Sequence, residues 1–408
     1  PMPFQWPVIG NLPDFYARGG VDGMCDVYES LYKDYGPVFG LDMVAQTVVA
    51  VADPRVYDQV LRREGRFPYG AAEAVTTFKD YYDENDLVIP RMSVSKGEKW
   101  KEWRQANNPD LYVLWDTYLP MIAEASARIS EVAGREITTE RTLDFKDFIS
   151  RSSFDMFSAV LFGKSPQTTN SRVAMPEDLE FVRATQTAFD VTGYLLTNPL
   201  EKLNPFGSEL YETFVVNMDK TFAMGSNRAT TMAEAALETQ QKAKGESEAS
   251  GCPISALKKS TSKNLLGRNK VIPTEFPNPS YIERLVDRGV YSTDELGELI
   301  GPLLMAGVDT TAYVMGWFYL NLASNPDVQD KLAEELETVL GGADATTAEQ
   351  LNALPYLAAC VRESHRLTPA APILTKKIDT DIELVTTPLG GGGGDDGSSS
   401  TATTTTTT

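Results

Sequence analysis

The sequence predicts a mainly α fold with small β-sheets, and three observations carry that reading. Apolar residues recur at spacings of three and four over long stretches, as in Phe145, Phe148, Ile149, Met156 and Val160. Strand-like runs are few and short in the first half of the chain, near Val38 to Leu41 and Thr47 to Val51. The chain has 408 residues, 42% of them hydrophobic, which is enough to bury a large core.

Taken in order, the opening PMPFQWPVIGNLPDF alternates prolines with apolar residues and turns at Gly10-Asn11, which reads as an extended strap. The two strand-like runs lie between the Gly36-Pro37 break and the Asp53-Pro54 turn, which suits a hairpin. Helical periodicity follows from Trp100 to Gly163 and implies a bundle. It returns from Asp178 to Leu237, interrupted at Asn198-Pro199 and Asn204-Pro205. Residues 241–278 turn to Lys, Ser, Gly and Asn, the composition of an exposed loop or disordered insertion. Residues 390–408 are Gly, Asp, Ser and Thr only, apart from Ala402, and are expected to be a disordered low-complexity tail. No polar linker divides the first 240 residues, so residues 1–389 are expected to form one large domain.

The formal charge is −20 with a pI near 4.6. That balance excludes nucleic acid as a partner, because a phosphate backbone needs a concentrated positive surface. Three cysteines, Cys25, Cys252 and Cys360, and one histidine, His365, give no clustered metal-ligand spacing and no disulfide framework. A reducing compartment is the simpler expectation. No targeting segment or apolar anchor is evident in the opening, which begins at Pro1, so the organelle is not legible and an upstream segment is expected to be missing.

The chemistry concentrates in Leu299 to Leu322, LIGPLLMAGVDTTAYVMGWFYLNL, whose single charge is Asp309. Its length would permit a membrane span, but Asp309 at a membrane centre costs roughly 2.5 to 3.5 kcal/mol. A helix threaded through a protein core is expected. Ala306 and Thr310 lie four apart on one face with Gly307 beside them, a small-residue notch edged by a hydroxyl. Such a notch serves either the approach of a flat group or a close helix crossing, with Thr310 bonded back to its own backbone.

Two further pairs are spaced for helical contact. Trp100 and Arg104, four apart, can converge on one carboxylate, or can be a buried Trp and a snorkelling Arg on an amphipathic helix. Glu363 and Arg366, in NALPYLAACVRESHRL, are three apart and by themselves make a surface ion pair worth about 0.2 to 0.5 kcal/mol.

Together these residues resemble the cytochrome P-450 family. AGVDTT at residues 306–311 is similar to its oxygen-activation motif, Glu363-x-x-Arg366 to its Glu-x-x-Arg helix, Trp100-x-x-x-Arg104 to the helix under the haem edge, and the opening to its N-terminal strap. The resemblance implies an incomplete P-450-like fold and a haem-dependent monooxygenase that places one atom of dioxygen in a small apolar substrate. It implies haem (iron protoporphyrin IX) as cofactor and an electron-donating redox partner. Ala306 and Gly307 would line the haem face, Asp309 would relay protons through water and Thr310 would hydrogen-bond dioxygen. Trp100 and Arg104 would meet the haem propionates, and Glu363–Arg366 would be a buried structural salt bridge.

The family's cysteine loop, Phe-x-x-Gly-x-Arg-x-Cys-x-Gly, has no counterpart, so the axial cysteine is absent from this chain. Cys360 reads as a small buried hydrophobe and His365 as a capping or surface residue. A truncated gene product is one expectation; a non-catalytic helical binding protein, or a degenerate member without haem, is the alternative. The resemblance implies membrane association, at the endoplasmic reticulum or mitochondrion, and Glu64-Gly65-Arg66-Phe67-Pro68 resembles the mitochondrial type.

Overall fold

The computed structural model describes residues 1–20, 22–43, 47–65, 76–95, 97–112, 117–137, 144–197, 201, 207–249, 279–371, 373–374, 376, 378, 381–385 and 401–404. The chain runs α1 (Leu12–Ala17), α2 (Met24–Tyr35), β1 (Val38–Asp42), β2 (Thr47–Val51), α3 (Pro54–Leu61), α4 (Thr76–Glu84), α5 (Val88–Val94) and α6 (Gly97–Leu111). It continues with α7 (Leu119–Ile137), α8 (Phe145–Phe162), α9 (Pro176–Thr197), α10 (Glu209–Ala249), α11 (Tyr281–Arg288) and α12 (Thr293–Ala323). After these come α13 (Pro326–Leu340), α14 (Ala348–Asn352), α15 (Pro355–Leu367), β3 (Ile382–Val385) and β4 (Thr401–Thr404). The protein is thus mainly α with small β-sheets.

The opening strap is pinned by one residue. The buried Asn11 side chain donates to Pro3 O at 3.1 Å and Phe4 O at 2.9 Å, and accepts from Asp42 N at 2.6 Å. An amide suits this place because it satisfies donors and acceptors of two chain segments at once. The strap therefore lies against β1, which pairs antiparallel with β2 from Val38↔Val51 to Asp42↔Thr47, as the two strand-like runs required.

Two sequence expectations are corrected. The 241–278 stretch does not begin as a loop: α10 continues to Ala249, since Gln, Lys, Ala and Glu are good helix formers. Residues 250–278 lie outside the described residues. Within the expected disordered tail, Thr401–Thr404 forms β4, paired antiparallel with β3 from Ile382↔Thr404 to Val385↔Thr401. Threonine favours strands, and a backbone ladder needs no apolar burial. The Asn198-Pro199 and Asn204-Pro205 breaks lie outside the described residues.

The core is built on the first half of α12. Leu296, Leu299, Ile300, Leu304 and Val308 pack with Phe154 and Leu161 of α8, Ala229 and Ala233 of α10, and Ile282 and Leu285 of α11. The α10–α12 crossing is close because glycines meet there. A Cβ on Gly225 would lie 2.6 Å from Gly301 Cα, and one on Gly297 would lie 2.5 Å from Ser226 Oγ. Only residues without side chains let two helix backbones approach this far.

Candidate functional site

The start of α12 is fixed by a capping box: Ser292 Oγ accepts from Glu295 N at 3.3 Å, and Ser292 N donates to Glu295 Oε2 at 2.7 Å. One turn later the side chain of Glu298 accepts the Ile89 N–H at 3.1 Å, which ties α5 to it. Beyond Met305 the helix changes character. Ala306, Thr310, Tyr313, Trp317 and Leu320 are exposed, and their spacing of four, three, four and three puts them on one stripe. The second half of α12 is therefore not threaded through the core. Its other side packs on α8 and α7, where Ala312 joins Val132, Phe148 and Ile149. By length and composition α12 is also the one helix among the described residues apolar enough to cross a membrane.

Within the motif the side chains diverge. Thr310 Oγ1 donates to Ala306 O at 2.8 Å, so its proton is engaged and its lone pairs face outward. Gly307 does not share this open face. A Cβ there would lie 2.7 Å from Phe157 Cζ, so the missing side chain admits the Phe157 ring of α8. Successive helical residues point roughly 100° apart, so Ala306 lies on the stripe and Gly307 faces Phe157.

Asp309 is turned away from Thr310 for the same reason. Its carboxyl is pushed up to about 6 from 3.8, first by burial and then by the negative charge of Asp190 on α9, against the opposing charge of Lys146 on α8. Lys146 Nζ lies 3.5 Å from Asp190 Oδ2 on the surface. Asp309 can thus hold a proton near neutral pH.

On α6, the Arg104 guanidinium lies over the Trp100 ring, 5.5 Å from its centroid, and both are partly exposed. Their neighbour Trp103 packs against the main core with its Nε1 buried and without a hydrogen-bond partner. Glu363 and Arg366 make a bidentate pair, with Arg366 Nε at 2.8 Å and Nη2 at 2.7 Å from the carboxylate. The pair is exposed, not buried as the resemblance implies. Arg366 holds Glu363 below the usual carboxylate range. The cause is the way α15 docks: Ser364 turns inward to accept from Asn321 Nδ2 at 2.9 Å, and Glu335 of α13 caps its first turn at Tyr356 N and Leu357 N. The opposite side of α15 is left in solvent.

Among the cysteines, Cys25 is exposed, Cys252 lies outside the described residues, and Cys360 is half-buried, not fully buried as expected. Burial and the charge of Glu335 push the Cys360 thiol up, which disfavours a thiolate. His365 is exposed. The described residues contain no group of three His, Cys, Asp or Glu able to hold a metal ion. A cavity of about 90 Å³ lies elsewhere, between α7 and the turn at Ser165 to Asn170. Its buried Asp155 is spent on Thr168 and Thr169, whose N–H and hydroxyl groups all donate to it.

Sequence reasoning missed Phe157 and the Tyr313–Trp317 pair, whose rings are 6.2 Å apart. The latter was readable, because both continue the Ala306–Thr310 register.

The family model described as Cytochrome P450 matches residues 1–389. The chain is 23% identical over 389 residues to the mitochondrial 1,25-dihydroxyvitamin D(3) 24-hydroxylase of Mus musculus, covering 93% of this chain and 66% of that protein. It is 24% identical over 390 residues to the mitochondrial sterol 26-hydroxylase of Homo sapiens, with the same coverage of 93% and 66%. The chain spans about two thirds of the length of the curated relatives it matches.

Proposed function

The chain belongs to the cytochrome P-450 family, and on that premise we propose that it serves a haem-dependent monooxygenase acting on an apolar organic substrate. The observation that carries the reading is the open stripe at Ala306 and Thr310, set on a long apolar helix with the acid Asp309 beside it. A flat apolar ring laid on Ala306 meets only a methyl group, and Tyr313 and Trp317 extend the apolar surface along the same face. The residues present fit one side of a haem. Bound there, haem would supply the oxygen-activation chemistry of a monooxygenase.

This chain's own residues then do the remainder. Thr310, its proton given to Ala306 O, offers lone pairs to a polar group above the ring and excludes bulkier neighbours. Asp309, with its carboxyl raised to about 6, holds and releases a proton near neutral pH through water. Trp100 and Arg104 are the groups for the haem propionates. Electrons come from a protein redox partner. Residues 1–389 act as one domain. The relatives' names support a sterol-like substrate and a mitochondrial location.

The exposed Glu363–Arg366 pair and the raised Cys360 thiol favour a second reading, a helical binding protein of the same family that holds no haem. In a haem-competent form that carries the family's cysteine loop, replacing Thr310 by alanine tests the first. Haem and substrate affinity are expected to stay within about twofold, because the only bond lost is to the helix's own backbone. Product formed per electron consumed falls severalfold, with peroxide released. Unchanged coupling contradicts the role of Thr310.

A further inference from the structure

A buried polar cluster lies between α6 and α11, in which Arg284 Nη2 alone is buried without a hydrogen-bond partner. Asp110, at 0% exposure, accepts from Arg284 Nε at 3.0 Å, and Arg284 is itself 1% exposed. Arg288 Nη1 reaches the other oxygen of Asp110 and also donates to Ala106 O at 2.9 Å. One turn earlier, the buried Asn107 accepts from Tyr281 at 2.8 Å and donates to Tyr291 at 2.8 Å. Tyr118 closes the group by donating to Asp110 O at 3.1 Å. Two buried charges and their partners are expensive to desolvate, and apolar residues of similar volume would hold two helices together at least as well. What such a network adds is one fixed register and rotation between the helices it joins.

The face it grips explains why rotation matters. On α6, Ala106, Asn107 and Asp110 lie on the side turned to α11. Arg104 is three residues before Asn107 and Trp100 four before Arg104, so both lie along one edge of the gripped face, within roughly 60° of Asn107 on the helical wheel. A change in rotation of α6 would therefore swing Trp100 and Arg104 directly. Apolar contacts slide under such a rotation, whereas the two-point hold on Asp110 does not.

We infer that Asp110, Arg284 and Arg288 form a positioning latch that aims Trp100 and Arg104 of α6 at the carboxylate edge of haem. The inference rests on the haem-edge reading of these two residues.

The test is hemin titration of the full chain, followed by Soret absorbance and tryptophan quenching, beside thermal melts that verify folding. The variants are Arg104→Gln, Arg288→Gln and the two combined. Arg288 is at the rim of the cluster, and Asp110 keeps Arg284 in the variant. Tyr291→Phe, which removes only the hydroxyl that Asn107 reaches, is the milder second variant.

Arg104→Gln and Arg288→Gln are each expected to weaken hemin binding about tenfold at a temperature where both are folded, the size typical of outer-shell support. The double variant is expected to bind no worse than Arg104→Gln alone, because Arg288 acts through Arg104. Tyr291→Phe is expected to lose less affinity than Arg288→Gln, but measurably. A lower melting temperature with unchanged hemin affinity in folded Arg288→Gln overturns the latch, as do losses that multiply in the double variant. If Arg288→Gln does not fold, unchanged affinity in Tyr291→Phe overturns it. Should Arg104→Gln bind hemin like the parent, the haem-edge reading itself fails and the latch with it.

Discussion

Replacing Asp309 by asparagine should stabilise the protein at neutral pH and leave it unchanged in acid. The Asp309 carboxyl is raised from 3.8 to about 6, mainly by burial and next by Asp190. Below about pH 3.8 the group is protonated in both the folded and unfolded chains and has no effect. Between 3.8 and about 6 the unfolded chain loses the proton first, so the folded state binds more protons and stability falls as pH rises. Above about 6 the full penalty applies. About two pKa units at roughly 1.4 kcal/mol each give about 3 kcal/mol, and partial exposure reduces this to on the order of 1–3 kcal/mol. Asparagine has the same shape and no charge to desolvate. Urea melts of parent and variant at pH 7 and pH 3.5 read the difference directly. The variant should gain 1–3 kcal/mol, by order of magnitude, at pH 7 and roughly nothing at pH 3.5. A variant less stable than the parent at pH 7, or a difference independent of pH, refutes the reasoning. A stabilising loss is what a retained functional acid should show.

Gly225→Ala should destabilise by about 1–3 kcal/mol, because its Cβ would lie 2.6 Å from Gly301 Cα and backbone must move to admit it; chemical denaturation measures this. Tyr313→Gln combined with Trp317→Gln should reduce self-association in sedimentation velocity while changing stability by no more than about 0.5 kcal/mol per site, since both side chains are exposed on an apolar face.

Local signals were legible and distant ones were not. The hairpin, the long helix around Asp309 and the register joining Ala306 to Thr310 follow from spacing alone, because strand and helix periods act within a few residues. The openness of that register is a tertiary fact. Pro302, Gly307 and Trp317 belong to one apolar run, and nothing in the run separates its enclosed half from its exposed one. Glu363–Arg366 shows the same limit: three-residue spacing predicted the ion pair, but its burial depends on which side of α15 turns to α12, decided by Ser364 and Glu335. The Asp110 cluster was invisible for a further reason. Asp110 and Arg284 are 174 residues apart, and charged residues read as surface until a partner so distant is known. Thr401–Thr404 reads as tail in the sequence and pairs as a strand in the structure, because composition predicts burial well and backbone pairing poorly.

The most direct test of the account asks whether the Ala306–Thr310 stripe is the face that haem occupies. Hemin is titrated into the full chain and into Ala306→Trp, with Soret absorbance as the readout and thermal melts to verify that both are folded. Ala306 is exposed, so tryptophan there fits in solvent without disturbing the core, yet fills the space a flat ring needs. The account predicts a saturable Soret change in the parent and its loss in Ala306→Trp. Equal hemin binding by both proteins, or no saturable binding by the parent, would contradict it.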